Sequence, residues 1–272
     1  MARIALLQMN SGIDPDSNFQ TIHDAVLEAR SGGAEILFTP EMSLLLDRDR
    51  KRASRHVVAQ ESSVHVRLLK KLAREQRLYI ALGSYAAALP DGNWANRSLL
   101  FPGTNAKLLQ YDKLHMFDVD LAEGESWRES RTYSAGKRIV SAENTPVGRL
   151  GLTICYDLRF PALFEELGRQ RCDCIAVPAA FTVPTGRAHW HVLLRARAIE
   201  ASAYVVAAAQ VGTHEDGRQT YGHSLVVDPW GEVLLDMGGA QPGVGFAEVD
   251  MARIGEVRRQ LPSLANRRRL AT

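Results

Sequence analysis

Short apolar runs alternate along the chain with longer stretches whose apolar residues recur every three or four positions. RIALLQM, at 3–9, predicts a first strand. In residues 17–31, SNFQTIHDAVLEARS, positions Phe19, Ile22, Ala25, Val26 and Ala29 have helical spacing. Ser17 is a candidate cap for that helix, and Gly32–Gly33 stop it. AEILFTP reads as the next buried strand, and residues 61–77 as a second helix with Val64, Leu68, Leu69 and Leu72 inward. LYIALGSYAA is a strand and DGN a turn; SLLFP and KLLQYDK are strands joined by a Pro-Gly turn. Residues 112–138 are polar with little periodicity, which predicts a long loop, and such loops in compact domains carry function or are disordered. Phe117 and Trp127 within it favour order. Further strands are expected at 147–154, in DCIAVP, in YVVAAAQ, on both sides of a turn at Asp228–Gly231, and in VGFAEVD. Helices are expected near 160–169, at 187–202 and near 251–260.

Strands alternating with helices, together with paired strands in both halves, predict an α/β architecture of sheets covered by helices. No linker, low-complexity segment or short-period repeat interrupts it, so a single domain over residues 1–272 is expected. With 33 basic and 31 acidic residues the net charge is +2, and nothing in that balance calls for a nucleic acid or an anionic membrane. The C-terminal VRRQLPSLANRRRLAT is rich in arginine but has no interleaved aromatics, and reads as a solvated face. No apolar run approaches the roughly 18 residues that span a bilayer, and the N-terminus lacks a cleavable signal pattern. Three cysteines are too few for a disulfide scaffold in a chain of this size. The expectation is a soluble cytoplasmic protein with free thiols.

Three chemically active residues share one local context. Glu41 follows EILFTP, Lys113 follows KLLQYD, and Cys155 follows RLGLTI. Each stands just past the C-terminal end of an apolar strand, the edge at which open α/β sheets bind ligands. Taken singly, Cys155 is a small core hydrophobe, Glu41 a turn cap and Lys113 a solvated loop residue. Together they make chemical sense. A thiolate is the nucleophilic form of cysteine, a carboxylate can take its proton, and an ammonium can hold an oxyanion. The start of a helix after Cys155 would add partial positive charge on the same side. A metal centre is not expected. His189 and His191 are two apart on a helix and face different ways, and Cys172 and Cys174 lack a second pair at zinc-site spacing.

FTPEM, YDKLHMFD and GLTICYDLRFP resemble the three signature segments of the nitrilase superfamily of carbon–nitrogen hydrolases. AHWHVLLRARAIEASAYVVAAAQVG and YGHSLVVDPWG resemble segments shared by its Nit branch, and the likeness runs from the first strand to the C-terminal helix. The resemblance implies a four-layer αββα sandwich. It implies Glu41 as general base, Lys113 as oxyanion stabiliser and Cys155 as nucleophile, with the Tyr156 N–H as a second oxyanion donor. It also implies a second glutamate that positions the lysine and substrate. Glu129 in RESRTYSAG matches that pattern better than its neighbours Glu123 and Glu125.

The implied reaction is amide hydrolysis through a thioester, with ammonia departing and no metal or organic cofactor. Arg159, Phe181 and Thr185 stand where Nit proteins line the substrate pocket. Arginine there can clamp a carboxylate, unless it is tied up in a surface ion pair with Glu165 or Asp157. A small carboxylate-bearing amide is therefore the expected substrate. Two activities dominate the branch: the ω-amidase on 2-oxo acids derived from glutamine and asparagine, and the amidase for deaminated glutathione. LLRARAIE, YVVAAAQ and YGHSLVVDPWG are closer to the second. Ala162 stands where the family usually has glutamate, Thr153 where glycine is common, and EMSLLLDRDRKR after Glu41 matches no branch well. Family members pair through helices beside the site, so at least a homodimer is implied. A catalytically inactive member acting only by interaction is the alternative, and four filled catalytic positions speak against it. Trp190 and Met116 are expected in the core or an interface, while His223 is open to a ligand-contact role.

Overall fold

The computed structural model describes residues 1–120 and 126–268. Five strands open the chain: β1 (Ala2–Gln8), β2 (Ile36–Phe38), β3 (Tyr79–Ala88), β4 (Trp94–Phe101) and β5 (Leu109–Asp112). A small ribbon, β6 (Asp118–Asp120) with β7 (Ser126–Arg128), follows. Then come β8 (Val140–Thr145), β9 (Gly148–Leu152), β10 (Cys174–Ala176) and β11 (Tyr204–Ala207). A hairpin of β12 (Val211–Thr213) and β13 (Gln219–Tyr221) precedes β14 (Leu225–Val227), β15 (Val233–Asp236) and β16 (Gly243–Val249). The helices are α1 (Pro15–Ser31), α2 (Arg50–Ala53), α3 (Val64–Gln76), α4 (Pro161–Arg169), α5 (Val183–Ala201) and α6 (Met251–Gln260).

Two six-stranded sheets result, in the orders β16-β1-β2-β3-β4-β5 and β15-β14-β11-β10-β9-β8. Alternation along β1 shows how they stack. Ile4 and Leu6 pack into the core shared with Leu150, Leu152 and Ala176 of the other sheet, whereas Ala5 and Leu7 pack with Ile22 and Val26 of α1 and Leu69 of α3. Helices α4 and α5 cover the outer side of the second sheet, where Phe164, Leu167, Leu194 and Ala198 are buried. Helix, sheet, sheet, helix is the four-layer αββα sandwich the resemblance implies.

Local differences from the expectation have local causes. Helix α1 begins at Pro15, and Asp14 caps it by accepting from the N–H groups of Asp16 and Ser17. Proline's fixed φ suits that first position, so Ser17 lies inside the helix and donates its hydroxyl to Asp14. Helix α3 starts after the Ser63 cap and buries Val66, Leu69, Leu72 and Ala73, which form one stripe. Val64 and Leu68 flank that stripe and are 52% and 39% exposed. Within 112–138 the chain forms β6, β7 and a 3-10 turn at Glu129–Arg131. Strand β8 lies at the sheet edge, where VSAENT needs no apolar run. Helix α5 starts before residue 187 because Pro184 falls in its first turn, where it costs no helical hydrogen bond.

The first sheet also fixes the chain that leaves β2. Thr39 N–H donates to the Ala81 carbonyl at 3.0 Å, and Ser84 N–H to the Pro40 carbonyl at 3.2 Å. Gly83 makes this contact possible: a Cβ there would lie 2.1 Å from the Thr39 oxygen and 2.4 Å from that of Pro40. Gly83→Ala is expected to cost about 1–3 kcal/mol in stability and to lower activity with it, because Thr39–Pro40 carries Glu41. Denaturant unfolding and turnover measured on one preparation check both effects. No helix among the described residues is long and apolar enough to cross a membrane.

Candidate active site

The strand ends bring the predicted residues together. Glu41 lies three residues past β2, Lys113 directly follows β5, and Cys155 lies three residues past β9. All three are buried. Lys113 Nζ donates to Glu41 Oε1 at 3.0 Å and to Glu129 Oε1 and Oε2 at 3.1 and 2.9 Å. Glu129 is therefore the glutamate the structure sets beside the lysine; Glu123 and Glu125 lie outside the described residues.

Each carboxylate is held from several sides. Asn96 Nδ2 donates to Glu41 Oε1 at 2.9 Å and to Glu129 Oε1 at 3.0 Å. The Ala180 N–H donates to Glu41 Oε2 at 3.0 Å, and the Phe117 N–H to Glu129 Oε2 at 2.7 Å. Gln210 Nε2 holds the Glu41 backbone carbonyl at 2.9 Å. A charge buried this deeply needs such partners.

The protonation states follow from this packing. Burial alone would push the Glu41 pKa up. The Lys113 ammonium, with hydrogen bonds from the neighbouring thiol, Lys113 and Asn96, outweighs burial and holds it below the ordinary carboxylate value. Burial would also lower the lysine pKa, but Glu129, Glu41 and Cys155 together raise it well above its ordinary value. The Cys155 thiol is pushed up by burial and then by the Glu41 charge, with Lys113 opposing only in part. At rest the proton sits on sulfur, beside an ionised carboxylate and an ammonium.

Cys155 has φ +49°, a left-handed conformation that costs a non-glycine residue about 1–3 kcal/mol. A 3-10 turn, Cys155–Arg159, carries the chain from there to α4 at Pro161, so the turn and not the α-helix follows the thiol directly. Asp157 holds that turn. Its Oδ2 accepts from the Tyr111 hydroxyl at 2.6 Å and the Ile154 N–H at 2.9 Å; its Oδ1 accepts from the His115 N–H at 3.1 Å and meets His115 Nδ1 at 2.7 Å. The His115 ring stacks on Phe160 with centroids 3.6 Å apart. Asp157 thus ties the cysteine turn to Tyr111 and His115, two residues to either side of Lys113. Asp157→Asn would set an amide donor against at least one of these donors. It is expected to lower kcat about 10²-fold, the scale of an ångström-level misplacement, and single-turnover kinetics measures that loss apart from binding.

Tyr156, Arg159, Phe181 and Thr185 line the same cavity as Glu41, Lys113, Glu129 and Cys155, and its volume is about 810 Å³. The Arg159 guanidinium lies 5.9 Å from the Tyr156 ring centroid and 5.5 Å from that of Phe181, with both terminal nitrogens 3.3 Å from His189 Nδ1. It pairs with neither Glu165 nor Asp157; Glu165 pairs with Arg267 instead. Thr185 shares a 2.8 Å hydrogen bond with Thr182.

Asn96, His115 and the positioning by Asp157 escape sequence reasoning because each acts through a contact between distant segments. Trp190 is fully buried and donates to the His223 carbonyl at 2.8 Å, as a core residue does. Met116 is half-buried. His223 faces Asp236 at 2.9 Å, as does His191, and these three offer ligand-type atoms within 4.8 Å of one another. His189, Cys172 and Cys174 belong to no such group among the described residues.

Residues 3–259 match the family model described as carbon-nitrogen hydrolase, and the chain belongs to that family. Among its relatives, the deaminated glutathione amidase of Yersinia enterocolitica is 39% identical over 275 residues, covering 98% of this chain and 93% of that one. The deaminated glutathione amidase of Synechocystis is 37% identical and covers 97% of each. The crystal structure of the C. elegans NitFhit protein is similar at a TM-score of 0.89 and 35% identity, covering 98% of this chain and 65% of that one.

Proposed function

We propose that this chain is an amidase that cleaves a C–N bond of deaminated glutathione through a thioester on Cys155. The observation that carries the reading is the buried Lys113 ammonium, held between Glu41 and Glu129 in the cavity that Cys155 lines. The relatives named above support the choice of substrate. So does Arg159, whose charge over two aromatic rings suits the carboxylate of a 2-oxo acid.

The steps follow from the protonation states. Substrate carbonyl enters beside Lys113, and the thiol passes its proton to Glu41 as sulfur attacks. A C–S bond forms, and the carbonyl electrons move onto oxygen. Lys113 and the Tyr156 N–H donate to that oxyanion, stabilisation of the kind worth about 10²–10³ in rate per donor. The protonated Glu41 then gives its proton to the departing nitrogen, and the C–N bond breaks. Water loses a proton to Glu41 and adds to the thioester; the C–S bond then breaks, and Glu41 returns that proton to the departing sulfur as the acid is released. Glu129 acts by fixing Lys113. No step calls for a metal or cofactor.

One expectation changes with this substrate. Glutathione's amides join amino acids, so hydrolysis of the deaminated form releases an amine-bearing peptide. Ammonia departs only from a primary amide such as 2-oxoglutaramate. The reading also carries a single hydrolase domain over residues 1–272 and a reducing, cytoplasmic setting for three free cysteines. It carries self-association through the helices beside the site, where Val192 and Ile199 stand exposed on α5.

Deaminated glutathione, followed by its new amine, is expected to give the higher kcat/KM when tested beside 2-oxoglutaramate, followed by ammonia. The reverse order would keep the chemistry and move the protein to the ω-amidase activity. Silence on both would point to another amide or to an inactive, interacting member of the family.

A further inference from the structure

We propose that the outer cavity holds a second anion subsite, formed by Arg48, Arg50 and Arg131, which takes the distal carboxylate of the leaving peptide. The proposal rests on the substrate reading above and extends it from one end of the molecule to both.

The cavity is lined by Arg48, Arg50, Arg128, Arg131, Arg159 and Arg218. Two of these are neutralised locally. Arg128 pairs with Asp120 at 2.7 Å and Arg218 with Asp216 at 2.8 Å. The carboxylates of the lining are also engaged: Glu41 and Glu129 hold Lys113, and Asp47 holds Arg52 at 2.7 Å. Among the described residues, Arg48, Arg50, Arg131 and Arg159 are left with no carboxylate at ion-pair distance. A concave wall carrying uncompensated charge of one sign focuses its field on an incoming anion.

Two of the outer arginines are also ordered. The Arg48 guanidinium lies 5.7 Å from the Trp127 ring centroid, and its backbone N–H donates to Asp216 at 2.9 Å. The Arg50 guanidinium lies 5.7 Å from the Trp94 ring and donates to the Arg131 carbonyl at 3.3 Å. A guanidinium held over an aromatic face in this way is restrained yet keeps further N–H donors for a carboxylate. These side chains come from the segment just after Glu41 and the turn that carries Glu129. The rim and the reacting centre therefore share their supports.

The substrate's chemistry completes the argument. A deaminated glutathione carries one carboxylate beside its oxo group and another on its terminal glycine, with the amides between. Arg159 suits the first. The second lies two residues away, and an extended chain advances about 3.5 Å per residue. A cavity of about 810 Å³ falls in the range that accommodates drug-sized ligands, more room than a five-carbon oxo acid fills.

The test compares deaminated glutathione with its C-terminal carboxamide, which differs only at the distal carboxylate. The wild type is expected to favour the acid about 10- to 100-fold in kcat/KM, the range of a hydrogen-bonded charge, with the difference mostly in KM. In the Arg48→Gln/Arg50→Gln double variant that preference should fall toward one, and Arg48→Lys/Arg50→Lys should restore part of it. Both positions are exposed, and a melting curve confirms that the variants fold. A wild-type ratio near one, or a ratio that survives in the double variant, overturns the subsite while the amidase reading stands. A wild type inactive on both peptides overturns the substrate reading and the subsite together.

Discussion

Cys155→Ala is expected to reduce kcat on deaminated glutathione by about 10⁵–10⁶-fold, the loss seen when a covalent catalyst loses its nucleophile. Cys172 and Cys174, the other two thiols, are buried in the core of the second sheet and absent from the cavity lining, so neither can substitute. Serine should do little better. Glu41, held below the ordinary carboxylate range by its lysine, suits a thiol moving toward an amide carbon; a hydroxyl is a far weaker acid, and an amide, unlike the thioester that water meets, is not reactive enough to make up the difference. The protein should fold normally, since alanine keeps the backbone and removes one sulfur from a residue already 8% exposed. Intact-mass measurement during turnover gives a second check: an acyl adduct should appear on the wild type and not on the variant. Turnover that persists in Cys155→Ala would assign the nucleophile elsewhere.

Lys113→Met should damage folding and catalysis together. The substitution roughly keeps the volume and removes the charge, leaving Glu41 buried and Glu129 half-buried, both bridged by the same Asn96 amide. Breaking a buried charge cluster in this way costs about 3–5 kcal/mol, and loss of the proposed oxyanion donor should remove about a further 10²–10³ in rate, the scale of one such group. The stability loss has a definite pH dependence. In the wild type the Glu41 pKa lies below its unfolded value of 4.5, so its ionisation stabilises the fold above that pH. Without Lys113 burial prevails and the folded pKa rises, so ionisation opposes folding at neutral pH. The stability gap between wild type and variant should therefore be widest near neutrality and shrink as the pH falls. Denaturant unfolding at several pH values measures it, and a gap independent of pH would mean that the lysine acts by packing alone.

Much of this was legible in the chain because apolar runs mark strands and the residue after a strand end faces the sheet's open edge. FTPEM, YDKLHMFD and GLTICYDLRFP each join a buried run to a reactive side chain, so fold and candidate chemistry could be read from the same letters. What stayed hidden depends on contacts across the molecule. Nothing local to WANRS shows that Asn96 bridges two carboxylates brought from residues 41 and 129. Asp157 looks like a partner for its neighbour Arg159, yet beyond the Ile154 N–H its hydrogen bonds go to residues near 113. The ribbon within 118–128 is short and polar, and its pairing is set by its surroundings more than by any alternation of its own. Gly83 reads as one more small residue in a strand until the backbone packed against it is known.

Glu41 and Lys113 leave the first sheet, whereas Cys155 leaves the second. Cys155 and its proposed base therefore belong to different layers, and their separation is set by the apolar filling between the sheets together with the few hydrogen bonds that cross it, from Ala180 and Gln210 to Glu41 and from Tyr111 to Asp157. Turnover is in that sense a gauge of interlayer registry. A warming sample in which the two layers begin to slide will fall silent while each sheet, still hydrogen-bonded within itself, keeps its full complement of secondary structure.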